Sequence, residues 1–446
     1  MTPTSCPTTS PKAAPCSAAV RRVLVIGTSI DYIATISHRF PGRALFVTDP
    51  QERARGAEPS PAPQDELLVD MAAPGQVMEQ LLRHCSRYNM QPGGVACFDD
   101  ESMHLAALLA QELGLPYLAP EAVLRCRCKL RSKQLWLAAG LDCPAAVQID
   151  SPADAAAFWR QQGRIMLKPL TGSGSELLFD CSTGAACLAA GETMKQGLTG
   201  MLNERMYAPY TVDGCYRDPR TSFIAEPFRQ GEEYSCDLLV TGSRLGVIRV
   251  THKHLLPGGP SGTIMAYQLC TGLPVDRQYV LQTLRTAVQS LGIEQGLCMI
   301  DFLLDHGRIV LLELAPRPGG DCLPPLLLTA CGLDSFDNAL SVAEGRRLKL
   351  PQPGQCRPLV GLRLFAPLPG GIITCLDTTS IAADPRVIKV QLSKIPGHPV
   401  THPPADYFSR ILGHALFEPY READAGQECR ELLGLLKVQY QEDETA

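Results

Sequence analysis

Short apolar, β-rich runs alternate with helix-length segments through the first part of the chain. VLVIG, ALFVTD and GVACFDD are separated by stretches long enough to cross back over a sheet, and HLAALLAQELG follows the last of them. Strand and helix in alternation mark a parallel sheet with crossover helices, so residues 21–120 are expected to form an α/β unit. Residues 1–20 have no period and are rich in Ser, Thr, Pro and Ala, the composition of a disordered tail. LRCRCKLRSKQLWLAAG then reads as helix, stopped at Gly140 with Pro144 beyond it. RIMLKPL, ELLFD, SFIAEPF, EYSCDLLV and RLGVIRV predict the strands of an α+β region over 121–350. A Tyr/Arg/Asp-rich insertion at 200–221 lacks a period and is expected to be a mobile loop. The Pro/Gly-rich stretch 351–358 marks a joint, and 351–446 is expected to form a small α/β unit.

The last two apolar runs of the α+β region, IDFLL and IVLLELA, predict a β-hairpin. Asp305-His306-Gly307 suits a three-residue loop with Gly at the left-handed position. That loop pairs Leu304 with Arg308 and Asp301 with Leu311, which puts Glu313 diagonal to Asp301 on the same face, about 7–8 Å away. Two carboxylates closing on an apolar sheet repel each other and lose hydration. A divalent cation between them relieves both costs, and hard oxygen ligands suit magnesium. A solvated face, or a structural ion pair with Arg317, accounts for the same residues, and the hairpin by itself favours neither reading.

At 446 residues the chain exceeds one ordinary core. A formal net charge of -5 and the absence of a long Lys/Arg run argue against nucleic acid as a partner. No apolar run approaches the ~20 residues needed to cross a bilayer, and the N-terminus lacks an apolar signal core, so a cytoplasmic enzyme is expected. The 18 cysteines are scattered singly through apolar segments, as at Cys97, Cys236, Cys298 and Cys331. That distribution fits small buried hydrophobes in a reducing compartment better than a disulfide framework. Cys126 and Cys128 lack zinc-site spacing.

Four further segments offer chemistry. Gly27-Thr28-Ser29 ends the first strand without the later glycines of a dinucleotide fingerprint. Lys168 ends RIMLKPL and precedes Thr171-Gly172-Ser173-Gly174-Ser175, so a strand-end ammonium and several backbone N–H groups can surround a phosphate chain. Lysine comes first and a strand follows, so this is a β-hairpin flap and not a Walker A loop, although Gly/Ser loops are usually only turns. At Glu226-Pro227-Phe228 a strand leaves the sheet. A hinge there can offer backbone groups to a purine edge, while Glu233 accepts from ribose hydroxyls; both acids also read as exposed strand ends. His252-Lys253-His254 and the following PGGPSG could line an acceptor pocket or be a plain strand end and turn.

Taken together, Lys129, KPLTGSGS, AEPFRQGEEYSCD, MIDFLL and LLELAPRPGGD resemble the ATP-grasp superfamily in order and spacing. Among its branches the chain is most similar to the carboxylate–amine ligases that include L-amino-acid (dipeptide) ligases. The resemblance spans about Val23 to Leu436. It implies an N-terminal parallel-sheet (pre-ATP-grasp) domain, a two-lobed ATP-grasp domain and a small C-terminal α/β domain. It implies that Lys129 and Lys168 contact ATP phosphates under the Thr171, Gly172, Ser173, Gly174, Ser175 loop. Glu226 would meet the adenine amino group, Phe228 would lend hinge backbone and Glu233 would bind ribose. Asp301 and Glu313 would hold Mg2+, and Arg317, with Lys168 the implied catalytic pair, would sit over the transferred phosphate or a substrate carboxylate. Many relatives carry Asn where this chain has Ala315, which leaves the number of metal ions open. The implied activity joins a small-molecule carboxylate and amine through an acyl phosphate. A bicarbonate- or formate-activating enzyme and a non-catalytic ATP-binding regulator are the competing expectations, and an exposed N-terminal sheet edge makes a homodimer a further one.

Overall fold

A computed structural model describes residues 19–201, 203–351 and 355–441. Of the expected tail, only residues 19 and 20 fall among the described residues. The chain begins with four parallel strands, β1 (Val20–Ile26), β2 (Ala44–Thr48), β3 (Glu66–Leu68) and β4 (Met90–Ala96), in the order β3-β2-β1-β4. Helices α1 (Ile30–Arg39), α2 (Pro50–Arg55), α3 (Pro74–Arg87) and α4 (Met103–Glu112) alternate with them. Helices on both faces explain why the strands are apolar throughout. Leu24, Ile26, Leu45 and Val47 enter one core, while Val23, Val25 and Phe46 enter another. Asp99 and Asp100 follow β4 at the carboxyl end of the sheet, where crevices form in such folds.

The helical linker is two helices, α5 (Pro120–Arg127) and α6 (Lys129–Ala138). Trp136 is fully buried on α6, and its indole N–H donates to the Ala287 carbonyl at 3.1 Å. A small lobe follows: β5 (Val147–Ile149), α7 (Pro152–Gln162), β6 (Ile165–Pro169), β7 (Phe179–Cys181), α8 (Gly184–Thr199), β8 (Tyr210–Val212), β9 (Cys215–Arg217) and β10 (Phe223–Pro227). Its antiparallel sheet runs β5-β10-β6-β7. Ser151 and Thr183 cap α7 and α8 by accepting from Asp154 and Ala186 N–H groups. The flap is a β-hairpin as expected. Its second strand is shorter than ELLFD, because Ser175 and Leu177 hold φ of 61° and 51° in the turn and strand begins only at Phe179.

The insertion at 200–221 corrects the expectation of a mobile loop. β8 and β9 form a hairpin turning at Asp213-Gly214, and Asp213 accepts from Arg125 at 2.6 Å and Arg131 at 2.5 Å. Sequence period misses it because each strand has three residues and the anchors come from α5 and α6.

The large lobe contains β11 (Glu232–Thr241), β12 (Arg244–Leu255), β13 (Ile264–Leu269), α9 (Arg277–Ser290), β14 (Gln295–Asp305), β15 (Arg308–Ala315), α10 (Leu323–Cys331) and α11 (Ser335–Ala343). After the joint come β16 (Val360–Phe365), β17 (Gly371–Asp377), α12 (Thr379–Ala382), β18 (Val387–Leu392), β19 (Pro399–Val400), β20 (Ile411–Phe417), α13 (Ala425–Leu433) and β21 (Lys437–Tyr440). One eight-stranded sheet runs β15-β14-β11-β12-β13-β16-β20-β18, so the segment after the joint adds three strands to it. β19-β17-β21 form a small separate sheet.

The β14–β15 hairpin differs from expectation in two ways that reinforce each other. Asp305 pairs with Arg308 across a two-residue turn, with His306 at φ 46° and Gly307 at 78°. Left regular, that register would put Leu312 opposite Asp301 and turn Glu313 to the other face. A β-bulge between Asp301 and Phe302 absorbs one residue, and Asp301 pairs directly with Glu313 instead of lying diagonal to it.

Candidate functional site

The small and large lobes border a cleft of about 770 Å³. Lys129, Lys168, Thr171, Gly172, Ser173, Gly174, Ser175, Glu226, Phe228, Glu233, Asp301 and Glu313 all line it. Arg317 lies outside this lining.

The acidic wall belongs to the large sheet. Asp301 is buried; its Oδ2 accepts from Lys253 Nζ at 2.6 Å, and its Oδ1 is buried without a hydrogen-bond partner. Glu313 reaches Lys129 Nζ at 3.4 Å, with its side chain 43% exposed. Burial raises the Glu313 pKa, but Lys129, Lys253 and Lys168 outweigh it and hold the carboxyl at about 2. Lys253 also pairs with Glu233 at 2.5 Å. Burial would discharge its ammonium, and Asp301 and Glu233 more than reverse this, so its pKa lies above the usual value.

The opposite wall is basic. Lys168 on β6 donates to Glu226 Oε2 at 2.8 Å, and Lys133 on α6 stands 3.4 Å from Oε1. Both Lys133 and Glu226 are 1% exposed. The Glu226 side chain thus lies between two ammonium groups and is not an open acceptor, a correction to the expected adenine contact. Its Oε1 nonetheless lacks a hydrogen-bond partner. Burial raises the Glu226 pKa and the two lysines bring it below normal. Burial dominates at Lys133 and lowers its pKa, whereas Glu226 wins at Lys168 and raises it.

The flap closes over this space. Lys129 Nζ donates to the Gly172 carbonyl at 2.8 Å, and Ser175 Oγ donates to the Gly262 carbonyl at 2.7 Å. Gly172, Gly174 and Ser175 have φ of 123°, 66° and 61°. Gly174 is required twice over, since a Cβ there would also fall 2.6 Å from the Phe408 ring. Thr171 departs from the expected cradle: its hydroxyl is buried and donates to the Met206 carbonyl at 3.1 Å. At the hinge the Phe228 N–H is engaged by the Arg164 carbonyl at 3.0 Å. The Arg164 guanidinium covers the Phe228 ring at 3.6 Å.

Arg317 follows β15 and turns to the N-terminal unit, where it grips Asp100 through Nε at 2.8 Å and Nη2 at 2.5 Å. Burial alone would lower its pKa, and Asp100 raises it. Sequence reasoning missed Lys133 and Asp100 and left Lys253 open. Period carried two of these signals: Lys133 lies three residues before buried Trp136 on one helix face, and Lys253 alternates with Arg249 and Thr251 along a central strand.

The donor set fits a magnesium–nucleotide pair. Among the described residues no three His, Cys, Asp or Glu side chains converge as a metal cage. Two carboxylates, one with an orphaned oxygen, with phosphates and waters completing the shell, are the usual protein share of a magnesium site.

Comparison with solved structures gives an L-amino acid ligase from Bacillus licheniformis at a TM-score of 0.73, covering 95% of this chain and 98% of that one at 17% identity. The chain has the ATP-grasp fold. The biotin carboxylase domain dimer of Hydrogenobacter thermophilus 2-oxoglutarate carboxylase, solved with MgADP, ADP and bicarbonate, shares this ATP-grasp architecture at a TM-score of 0.63 and 13% identity, over 95% of this chain and 91% of that one. By sequence, carnosine synthase 1 of Mus musculus is 26% identical over 288 residues, 61% of this chain and 33% of that protein. The chain therefore aligns with about a third of that relative's length. No protein-family model matches it. Among the described residues no helix is long and apolar enough to cross a membrane.

Proposed function

We propose that this chain is an ATP-dependent carboxylate–amine ligase that forms an amide bond through an acyl phosphate, with an amino acid among its substrates. The observation that carries the reading is the cleft itself: Asp301 and Glu313 stand side by side on one wall, Lys129, Lys168 and Lys253 surround them, and a glycine flap covers the space. The names of the Bacillus licheniformis and Mus musculus proteins support the ligase class.

A carboxylate resists attack by an amine because its oxygen is a poor leaving group. Phosphorylation by the γ-phosphate of ATP makes it a good one. Asp301 and Glu313 would hold magnesium, which neutralises phosphate charge when bound. Lys168, Lys129 and Lys253 place ammonium groups where negative charge gathers on phosphoryl oxygens. Glu226, held between Lys133 and Lys168, sets the position of both ammonium groups. Glu233 reaches the ribose only by sharing Lys253. The flap excludes water, which would hydrolyse the acyl phosphate. Arg317, anchored by Asp100, completes the charge around the first substrate at the edge of the N-terminal unit.

A second reading follows from the bicarbonate bound in the Hydrogenobacter structure: a carboxylase-type enzyme that activates bicarbonate. The same neighbour's dimer supports a homodimer here, and the cysteines, free throughout the described residues, suit a reducing, cytoplasmic setting. The test is a substrate-pool screen. Purified chain with ATP, magnesium and amino acids should release ADP and yield new amide masses, and Glu313→Gln should lower ADP release at least ~100-fold. ADP release that needs bicarbonate instead of amino acids would transfer the reading to the carboxylase class.

A further inference from the structure

The ligase reading requires a place for the amine, and the carboxylates of the cleft are already committed. Glu226 serves two lysines, Glu233 serves Lys253 and Asp180 serves Arg164; Glu176 and Glu232 accept from the Tyr207 and Tyr234 hydroxyls, while Asp301 and Glu313 form the metal wall; beyond the cleft, Asp237 serves Arg249 and Asp100 serves Arg317. The face of the eight-stranded sheet that carries Asp301 continues past them as a polar row. Lys253 on β12 pairs with Tyr267 on β13, and Tyr267 pairs with Gly361, two residues before Arg363 on β16. Arg363 pairs in turn with His414 on β20. Pleat alternation puts all of these side chains on one side.

Asp321 reaches this row from the loop after β15, four residues beyond Arg317. Arg363 Nε donates to Asp321 Oδ2 at 2.5 Å, Nη2 donates to the Tyr267 hydroxyl at 3.3 Å, and Nη1 is anchored on the Ile264 carbonyl at 3.1 Å. The Asp321 side chain is 31% exposed, and a carboxylate has about four acceptor positions, of which Arg363 takes one. Its φ of 58° is a conformation that side-chain-bearing residues seldom hold, and such strain concentrates at functional sites. Tyr267 links the two halves of the row. Arg363 and Asp321 act on its phenol from one side, Lys253 and Asp301 from the other. Two strand spacings and a two-residue offset along β16 separate the Lys253 and Arg363 backbone positions by about 12 Å, which their long side chains, a small acyl phosphate and an amine can bridge.

We propose that Asp321 receives the amine substrate: its carboxylate takes the incoming ammonium, and Arg363 with Tyr267 hold it aimed along the sheet toward the acyl phosphate. This rests on the ligase reading. The substrate class is a primary amine that arrives protonated, such as an amino acid. Nitrogen bonds to the acyl carbon, and the C–O bond breaks with its electron pair leaving on inorganic phosphate. Of the two protons lost by the nitrogen, one passes through Asp321 to solvent and one ends on phosphate. Arg363 and Tyr267 are positioning residues.

Hydroxylamine separates the two readings, because it is mostly neutral at pH 7 and traps an acyl phosphate without needing an anionic dock. Wild type with ATP, magnesium and an amino-acid pool should form both amides and hydroxamates. Asp321→Asn should lose at least ~50-fold in amide formation, through a raised amine KM, while hydroxamate formation stays within about fivefold. Arg363→Met should raise the amine KM in the same direction, and serves if Asp321→Asn fails to fold. Unchanged amine KM in both variants, or equal loss of amide and hydroxamate in a folded variant, would overturn the assignment of Asp321. Absence of hydroxamate and ADP in wild type would instead overturn the ligase reading beneath it.

Discussion

Glu226 shows how much of the site depends on residues that touch no solvent. A carboxylate at 1% exposure is tolerable only because Lys133 and Lys168 lie on either side. Glu226→Gln takes the carboxylate from buried Lys133 and part-buried Lys168, and should destabilise the chain by about 3–5 kcal/mol in urea unfolding while lowering nucleotide affinity. A loss under ~1 kcal/mol would mean that the lysines find other partners. Glu313 carries a pH signature with a definite sign. Its folded pKa of about 2 lies below the usual 4.5, so its contribution to stability is full above 4.5 and disappears as pH falls through about 2. The gap in urea midpoint between wild type and Glu313→Gln should accordingly narrow from pH 5 to pH 3. A constant gap over that range would contradict the pairing with Lys129, Lys253 and Lys168. Residue types and their order made the lysines and acids of the cleft legible in the sequence. Direction was not: Thr171 and Glu226, expected to contact the nucleotide, lie at the cleft, yet their side chains turn to Met206 and to the two lysines, which only tertiary packing decides.

At the scale of elements, the flap and the β14–β15 hairpin follow different rules. Gly174 sits at φ 66° against the Phe408 ring, so the C-terminal segment contacts the flap from outside. Gly174→Ala should raise the KM for ATP roughly tenfold by pushing the flap off its seat. Adding Phe408→Ala should restore most of it, leaving the ~1–2 kcal/mol strain of a left-handed alanine. No recovery in the double variant would place the defect in backbone strain alone. The hairpin was legible in kind but not in register. Asp-His-Gly allows a two- or three-residue turn, and the bulge beside Asp301 has no local sequence mark. Two errors of one residue each moved Glu313 from diagonal to directly opposite Asp301. The β8–β9 hairpin was missed for a related reason: three-residue strands have too few positions to show a period, and Asp213 is fixed by Arg125 and Arg131 from distant helices.

At the scale of the whole molecule, three segments contribute to the cleft and its surroundings. The N-terminal unit supplies Asp100 to Arg317, the small lobe supplies Lys168 and the flap, and the large sheet supplies the acids and the polar row that runs on to Arg363. Alternation of apolar runs made the N-terminal sheet and the strands of both lobes readable, since period reports burial directly. That β16, β20 and β18 extend the large sheet was not readable, because strand order is set by long-range pairing. The proposed ligase chemistry requires phosphoryl transfer from ATP to a carboxylate oxygen in this cleft. Isotope transfer tests it most directly: the chain is turned over with ATP, magnesium and an amino-acid pool whose carboxylates carry oxygen-18, and the released phosphate is weighed. The account predicts one labelled oxygen in each phosphate formed. Unlabelled phosphate released together with amide product would contradict it.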